Sequence, residues 1–146
     1  MPGYDSLRLE NQLCFPLYAA SREVIKRYRP LLDELDLTYT QYITMMVLWF
    51  EREISVKDLG KKLFLDSGTL TPVLKSLEVK GYVTRARCCD DERVLIASIT
   101  EKGDALKEKA VSVPAKLAGC VRLEANEAAT LYQLLYKLLG ALEEQE

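Results

Sequence analysis

Four cysteines and no histidine set the chemistry open to this 146-residue chain. Without an imidazole, Ser-His and Cys-His nucleophilic catalysis and most zinc sites are excluded. What remains is thiol chemistry at Cys14, Cys88, Cys89 and Cys120. The opening stretch MPGYDSLRLENQ lacks a basic segment followed by an apolar one, so no secretory signal is read and a cytoplasmic protein is expected. In that reducing setting cysteines are buried or redox-active rather than a disulfide framework. Taken alone, Cys14 reads as a small hydrophobe in a helix, as most free cysteines are. Cys88 and Cys89 are adjacent; oxidised they would close a strained ring, and with no histidine nearby they make a poor metal pair. No metal site, cofactor or catalytic set is expected.

The elements that must position these thiols follow from composition and periodicity. With 49% apolar and 29% charged residues, the chain is expected to form a single domain, 1–146, with one substantial core. Its apolar runs are broken by charge well short of the ~18 residues of a membrane span. The net charge of −2 does not advertise a nucleic-acid partner. Its distribution permits one: Val56 to Lys102 carries nine Lys/Arg against seven Asp/Glu, a local +2, and the rest eleven against fifteen, a local −4.

Leu13, Leu17, Ala20, Val24, Tyr28, Leu31 and Leu35 recur at three- and four-residue steps, which predicts a long helix from Glu10 to Leu35 with kinks at Pro16 and Pro30. A second helix is expected to turn Ile43, Met46, Val47 and Phe50 inward. Ser55 to Asp58 fits a capping box that opens a third, with Val56, Leu59 and Leu63 on one side. The next, within LDSGTLTPVLKSLEVKGY, carries Leu70, Val73, Leu74 and Leu77 as its apolar stripe. Its other face bears Thr69, Thr71, Pro72, Lys75 and Ser76. Ser67, Thr69 or Thr71 is expected to cap it, Pro72 to need a place in its first turn, and Gly81 to stop it. Tyr82–Arg87 and Val94–Thr100 read as two strands around the charged tip Cys88–Arg93. Thr100 is expected to cap a helix running to about Lys116, and a last helix to run from Glu124 to Glu144 with Leu131, Leu134, Leu135, Leu138 and Leu142 as its stripe. The fold class is mainly α with a small β-hairpin: a winged helix-turn-helix over 38–100, flanked by helical segments 10–36 and 101–144. Those terminal helices carry more apolar surface than one small core needs, which suggests a helical dimer interface.

The runs DSGTLTPVLKSLEVKGYVTR and DERVLIASITEKG resemble the MarR family of winged-helix transcription regulators. LCFPLYAASREVIKRY and LDLTYTQYITMMVLW resemble, more closely, the branch that senses organic hydroperoxides (OhrR-like). The likeness covers about Asn11 to Leu142. It implies a homodimeric repressor with two recognition helices in successive major grooves, half-sites ~34 Å apart, and wings near the flanking minor grooves. On that likeness Ser67, Thr69, Thr71 and Lys75 meet phosphates and base edges of double-stranded operator DNA. Arg93 matches the wing-tip arginine, with Asp91 orienting its guanidinium, and Arg87 is a second basic candidate. The alternative for Asp91 and Arg93 is an exposed hairpin ion pair worth little.

Cys14 takes the position of the branch's peroxide-sensing cysteine, and Tyr28 and Tyr39 match the residues that hydrogen-bond its sulfur and favour the thiolate. Fourteen residues, ~21 Å along a helix, separate Cys14 from Tyr28, so if they meet, Tyr28 comes from the partner chain. Cys120 lies near where two-cysteine members carry a resolving cysteine. The resemblance thus implies oxidation of Cys14 by an organic hydroperoxide to a sulfenic acid, then either a disulfide to Cys120 of the other subunit or a mixed disulfide with a low-molecular-weight thiol. Cys120 as a merely buried residue is the remaining alternative. Cys88 and Cys89 depart from the pattern and read as incidental wing residues or as a second redox or metal input. Two other functions compete: a MarR-type regulator answering a small aromatic ligand or another electrophile, and, from a different class, a thiol peroxidase.

Overall fold

Side-chain caps place the starts of the central helices. The computed structural model describes residues 3–144. In it Thr38 opens α2 (Tyr39–Glu51) with a full capping box completed by Gln41. Ser55 opens α3 (Val56–Leu63) by accepting from the Asp58 N–H, one half of the expected box. Thr100 opens α5 (Glu101–Ala105). α4 (Ser67–Val79), the expected recognition helix, is capped by Asp66, whose carboxylate accepts from the Thr69 N–H at 2.7 Å, and not by Ser67, Thr69 or Thr71. Pro72 is its sixth residue, beyond the first turn. The Gly68 carbonyl it leaves without a backbone donor lies on the exposed face. Gly81, at φ 84°, ends the helix in a Schellman arrangement: Tyr82 N–H donates to Leu77 O and Gly81 N–H to Glu78 O.

The sheet has three antiparallel strands in the order β1-β3-β2. β2 (Val83–Arg87) and β3 (Leu95–Ile99) form the expected hairpin. β1 (Glu53–Ser55), unforeseen in the sequence, pairs with β3 on its other side, Ile54 opposite Ala97. Cys88 N–H to Val94 O, 2.8 Å, closes the hairpin, so the wing tip is the five residues Cys89–Arg93.

The first long helix, α1, is Cys14–Asp33, shorter at its start than periodicity suggests; two short 3-10 turns, Asp5–Leu7 and Leu9–Asn11, precede it. Pro16 falls in its first turn, where no N–H partner exists to be lost. In α2 the inward frame is Gln41, Tyr42, Thr44, Met45 and Leu48. Met46 and Phe50 are exposed, against expectation, and Ile43 and Val47 are half-buried. The single helix expected from Glu101 to Lys116 is three pieces, α5, α6 (Lys107–Ala110) and α7 (Val113–Val121). Pro114 explains the second break: it cannot donate to the Ala110 carbonyl, which is where α6 ends. α8 (Ala125–Glu143) starts from a Glu124–Glu127 capping box, close to the expected bounds.

One core joins α2, α3, α4, the sheet and the start of α5–α7, with Met45, Leu48, Leu59, Leu70, Leu74, Leu77 and Ala97 fully buried. The recognition stripe therefore faces inward as read from sequence. α8, in contrast, buries none of its residues. Leu131, Leu134, Leu138 and Leu142 on α8, and Leu13, Phe15, Leu17, Val24 and Ile25 at and along α1, are all exposed. Among the described residues no helix is long and apolar enough to cross a membrane.

Candidate redox site and nucleic-acid interface

All four cysteines are free thiols. Cys14 is the first residue of α1 and is exposed, among exposed Leu13, Phe15, Leu17 and Tyr18. Cys120 sits near the end of α7, also exposed, its thiol hydrogen directed weakly to Lys116 O at 3.8 Å. Neither is the buried small hydrophobe that a free cysteine usually is. α7 packs along α1 in the same subunit.

Tyr28 and Tyr39, expected to serve the thiol, come together, but not with it. Tyr28 of α1 and Tyr39 at the start of α2 have ring centroids 4.9 Å apart, and Tyr42 joins them at 5.7 and 6.4 Å. α1 is one unbroken helix from Cys14 past Tyr28, which holds the thiol ~21 Å from the ring along its axis. Burial, and then the neighbouring phenols Tyr39 and Tyr42, push the Tyr28 hydroxyl up to about 12. Burial raises Tyr39 as well. Both are therefore protonated at neutral pH, so each hydroxyl is able to donate a hydrogen bond, the form a thiolate requires.

The raised value has a sign that can be checked. The folded state holds the Tyr28 proton more tightly than the unfolded chain does, so its contribution is intact below about pH 10 and is lost as pH rises through about 12. The urea midpoint is expected to fall between those values, and Tyr28→Phe to flatten that fall. Equal slopes in both proteins would contradict the assignment.

On the other side of the molecule, α4 and the wing present polar groups outward. Ser67, Thr69 and Lys75 are exposed, and Thr71 is half-exposed with its hydroxyl donating to Ser67 O at 2.7 Å. At the wing tip Arg93 donates from Nε to Asp91 at 3.1 Å, and Asp91 also accepts the Arg93 N–H at 3.0 Å. Those bonds, the backbone one foremost, hold the Asp91 carboxyl below the usual carboxylate range. The Arg93 side chain is 91% exposed at the wing tip, and Arg87 is exposed at the end of β2. Cys89 is exposed beside them and Cys88 half-buried. Ser76, placed by periodicity on the outer face, instead turns its hydroxyl to Gln41 of α2.

An open cavity of about 1140 Å³ lies between α3, the start of α4, the base of the wing and the end of α8, with Lys57, Lys61, Thr71 and Arg93 among its lining. Cys14, Tyr28 and Tyr39 are not part of it. Among the described residues no group of three or more acidic, cysteine or histidine side chains is placed to hold a metal ion.

Comparison with known proteins gives this arrangement its context. A profile of the transcriptional regulator SarA/Rot family matches residues 26–110. The chain is 47% identical, over 97% of both sequences, to the organic hydroperoxide resistance transcriptional regulator of Bacillus subtilis. It superposes on a MarR mutant from E.coli complexed with operator DNA at TM-score 0.81, 26% identical, covering 95% of this chain and 99% of that one. This chain belongs to the MarR family, in its organic-hydroperoxide branch. Within the family, reduced AbfR bound to DNA is 34% identical and matches at TM-score 0.80, with 97% of this chain and 96% of that one covered. The disulfide form of AbfR, at the same identity and 94% coverage of each chain, matches at 0.67. Overoxidised AbfR bound to DNA, 35% identical over 94% of this chain and 97% of that one, matches at 0.76.

Proposed function

We propose that this chain is a DNA-binding transcriptional repressor that senses organic hydroperoxides through Cys14 and releases its operator when Cys14 is oxidised. The observation that carries the reading is the place of Cys14. It is an exposed thiol set in an apolar surface that one subunit leaves uncovered, while the phenols suited to hold its thiolate stand ~21 Å away on the same helix. A second copy packed antiparallel along α1 and α8 covers that surface and brings its Tyr28 and Tyr39 to the thiol. Segments 10–36 and 101–144 then serve dimerisation, and 38–100 serves DNA. Since such a regulator works on the chromosome, the cytoplasm is its compartment.

In this mechanism the Cys14 thiolate attacks the outer oxygen of the hydroperoxide. The O–O bond breaks, an alcohol leaves, and a sulfenic acid remains. A second thiol then condenses with it and water is lost. That thiol is Cys120 of the other subunit or a low-molecular-weight cellular thiol. Either way the phenol–thiolate hydrogen bonds are lost, and the two halves of the interface shift against each other. Ser67, Thr69, Thr71 and Lys75 read the major groove from α4. Arg93, set by Asp91, and Arg87 reach the flanking backbone or minor groove. The AbfR structures support the DNA partner and the thiol chemistry of this reading, since that relative was solved on DNA both reduced and overoxidised, and separately in a disulfide form.

A regulator consumes oxidant once; a thiol peroxidase turns over with a reductant. Treatment with excess cumene hydroperoxide and a sulfenic-acid trap is expected to label the Cys14 peptide and to consume about one or two equivalents per subunit before arrest. Sustained consumption would favour the peroxidase, and labelling confined to Cys88 and Cys89 would remove Cys14 from the role. Release of the operator by an aromatic acid without any thiol modification would favour the ligand-responsive alternative.

A further inference from the structure

Gln41 is a buried polar side chain that neither thiol chemistry nor DNA contact explains. It is 6% exposed and sits in the first turn of α2, two residues from Tyr39 and next to Tyr42. Its carboxamide joins the start of α2 to the end of α4. Oε1 accepts from the Thr38 N–H at 3.1 Å and from Lys80 Nζ at 3.0 Å, and Nε2 donates to Ser76 Oγ at 2.9 Å. Ser76 belongs to the recognition helix and Lys80 is its C-cap. Lys80 also donates to the Asp36 carbonyl, in the turn between α1 and α2, and pairs with the Asp36 carboxylate at 3.7 Å.

The C-terminal end of the recognition helix is therefore fastened by hydrogen bonds to the turn of α2 that begins with a sensor tyrosine. Tyr39 is the first residue of α2 and Gln41 the third, so a displacement of the Tyr28–Tyr39 pair carries Gln41 with it. A hydrogen bond is directional and fails within a few tenths of an ångström beyond ~3.2 Å, whereas an apolar contact slides. A buried amide whose bonds are nearly all used is also costly to leave half-satisfied, which favours two discrete arrangements over a continuum.

We infer that Gln41 is a positioning residue of the switch: through Ser76 and Lys80 it couples the sensor tyrosines to the placement of the recognition helix. The inference rests on the peroxide-sensing reading above. A contact chain becomes a coupling path only when breaking it changes the energetics between sites, so the readout is the ratio of operator affinities in the reduced and oxidised states.

The variant is Ser76→Ala, which leaves the α2 capping box and Lys80 in place, with Gln41→Glu as its conservative counterpart. The carboxylate introduced by Gln41→Glu keeps the cap, pairs with Lys80 and accepts from the Ser76 hydroxyl. Operator binding to DNA from upstream of the gene is measured by fluorescence anisotropy on reduced protein and on protein oxidised with one equivalent of cumene hydroperoxide, and circular dichroism establishes that each variant is folded. Ser76→Ala is expected to oxidise at Cys14 at the wild-type rate, yet to show an affinity ratio reduced about 5-fold or more. Gln41→Glu is expected to stay within about 2-fold of wild type. A Ser76→Ala protein that loses affinity equally in both states, leaving the ratio at the wild-type value, overturns the inference alone. A wild-type protein with no ratio to begin with overturns the sensing reading and this inference together.

Discussion

Arg93→Ala is expected to weaken operator binding about 100-fold at fixed salt while leaving thermal stability almost unchanged. The Arg93 guanidinium is 91% exposed and stands at the tip of the hairpin, with Asp91 as its one partner among the described residues. An exposed pair of that kind contributes little to folding, so its loss costs the fold little. On DNA the same guanidinium, already oriented by Asp91, contributes ~1–1.5 kcal/mol, toward the low end for an arginine contact. A two-fold dimer presents it twice, and ~2–3 kcal/mol corresponds to roughly 100-fold in affinity. The salt dependence of binding is expected to become shallower, since two cations no longer displace counterions. Asp91→Ala is expected to act the same way but more weakly, because the charge remains and only its direction is lost. Anisotropy titrations at several salt concentrations check this, and an unchanged affinity would return Arg93 and Asp91 to a mere surface ion pair.

The second large effect concerns the fold. Gly103→Ala is expected to cost about 3 kcal/mol and to lower the melting temperature by roughly 10 °C. A Cβ at this position would lie 2.2 Å from the Tyr82 carbonyl oxygen, a backbone atom that cannot rotate away. That carbonyl already accepts the Thr100 N–H at 3.1 Å, and the Gly103 carbonyl accepts from Trp49 Nε1 at 2.9 Å. The glycine is thus pinned from both sides, at the point where α5 crosses the end of the recognition helix and the end of α2. Calorimetry or a thermal melt checks the value, and a shift under about 2 °C would mean that the α5 start moves freely.

The contrast between legible and illegible parts of this fold has a physical basis. The recognition helix is readable because its stripe of Leu70, Val73, Leu74 and Leu77 alternates cleanly with small polar residues, and Gly81 marks its end. Its cap is not, because Ser67, Thr69 and Thr71 all compete with Asp66 as side chains able to accept an N–H. In α2 the apolar count selects the wrong face. The true inward frame contains Gln41 and Thr44, which hydropathy rejects but which hydrogen bonds to Ser76, Lys80 and the Thr40 carbonyl make acceptable inside. The same limit of hydropathy hides Gln41 and puts Ser76 on the outer face. β1 is three residues with no alternation to see, and it exists through its pairing with β3. The break before α7 is written in Pro114, although the apolar periodicity runs across it.

For the candidate site, residue types are legible and assembly is not. Histidine-free composition reduces the chemistry to thiols, and family resemblance selects Cys14 among four cysteines. The helical rise then separates Cys14 from Tyr28 within a subunit, and the single chain keeps them apart on an unbroken α1. On the proposed reading, Cys14, Tyr28 and Tyr39 form a site that two chains complete together. The same reading gives the exposed leucines of α8 their partner in a second copy.

The measurement that tests the central claim most directly is operator binding by reduced wild type and by Cys14→Ser, each before and after one equivalent of cumene hydroperoxide. Both reduced proteins are expected to bind DNA from upstream of the gene with similar affinity, and peroxide to release wild type alone. Release of the Cys14→Ser protein as well would contradict the account and move the sensing thiol to Cys88, Cys89 or Cys120.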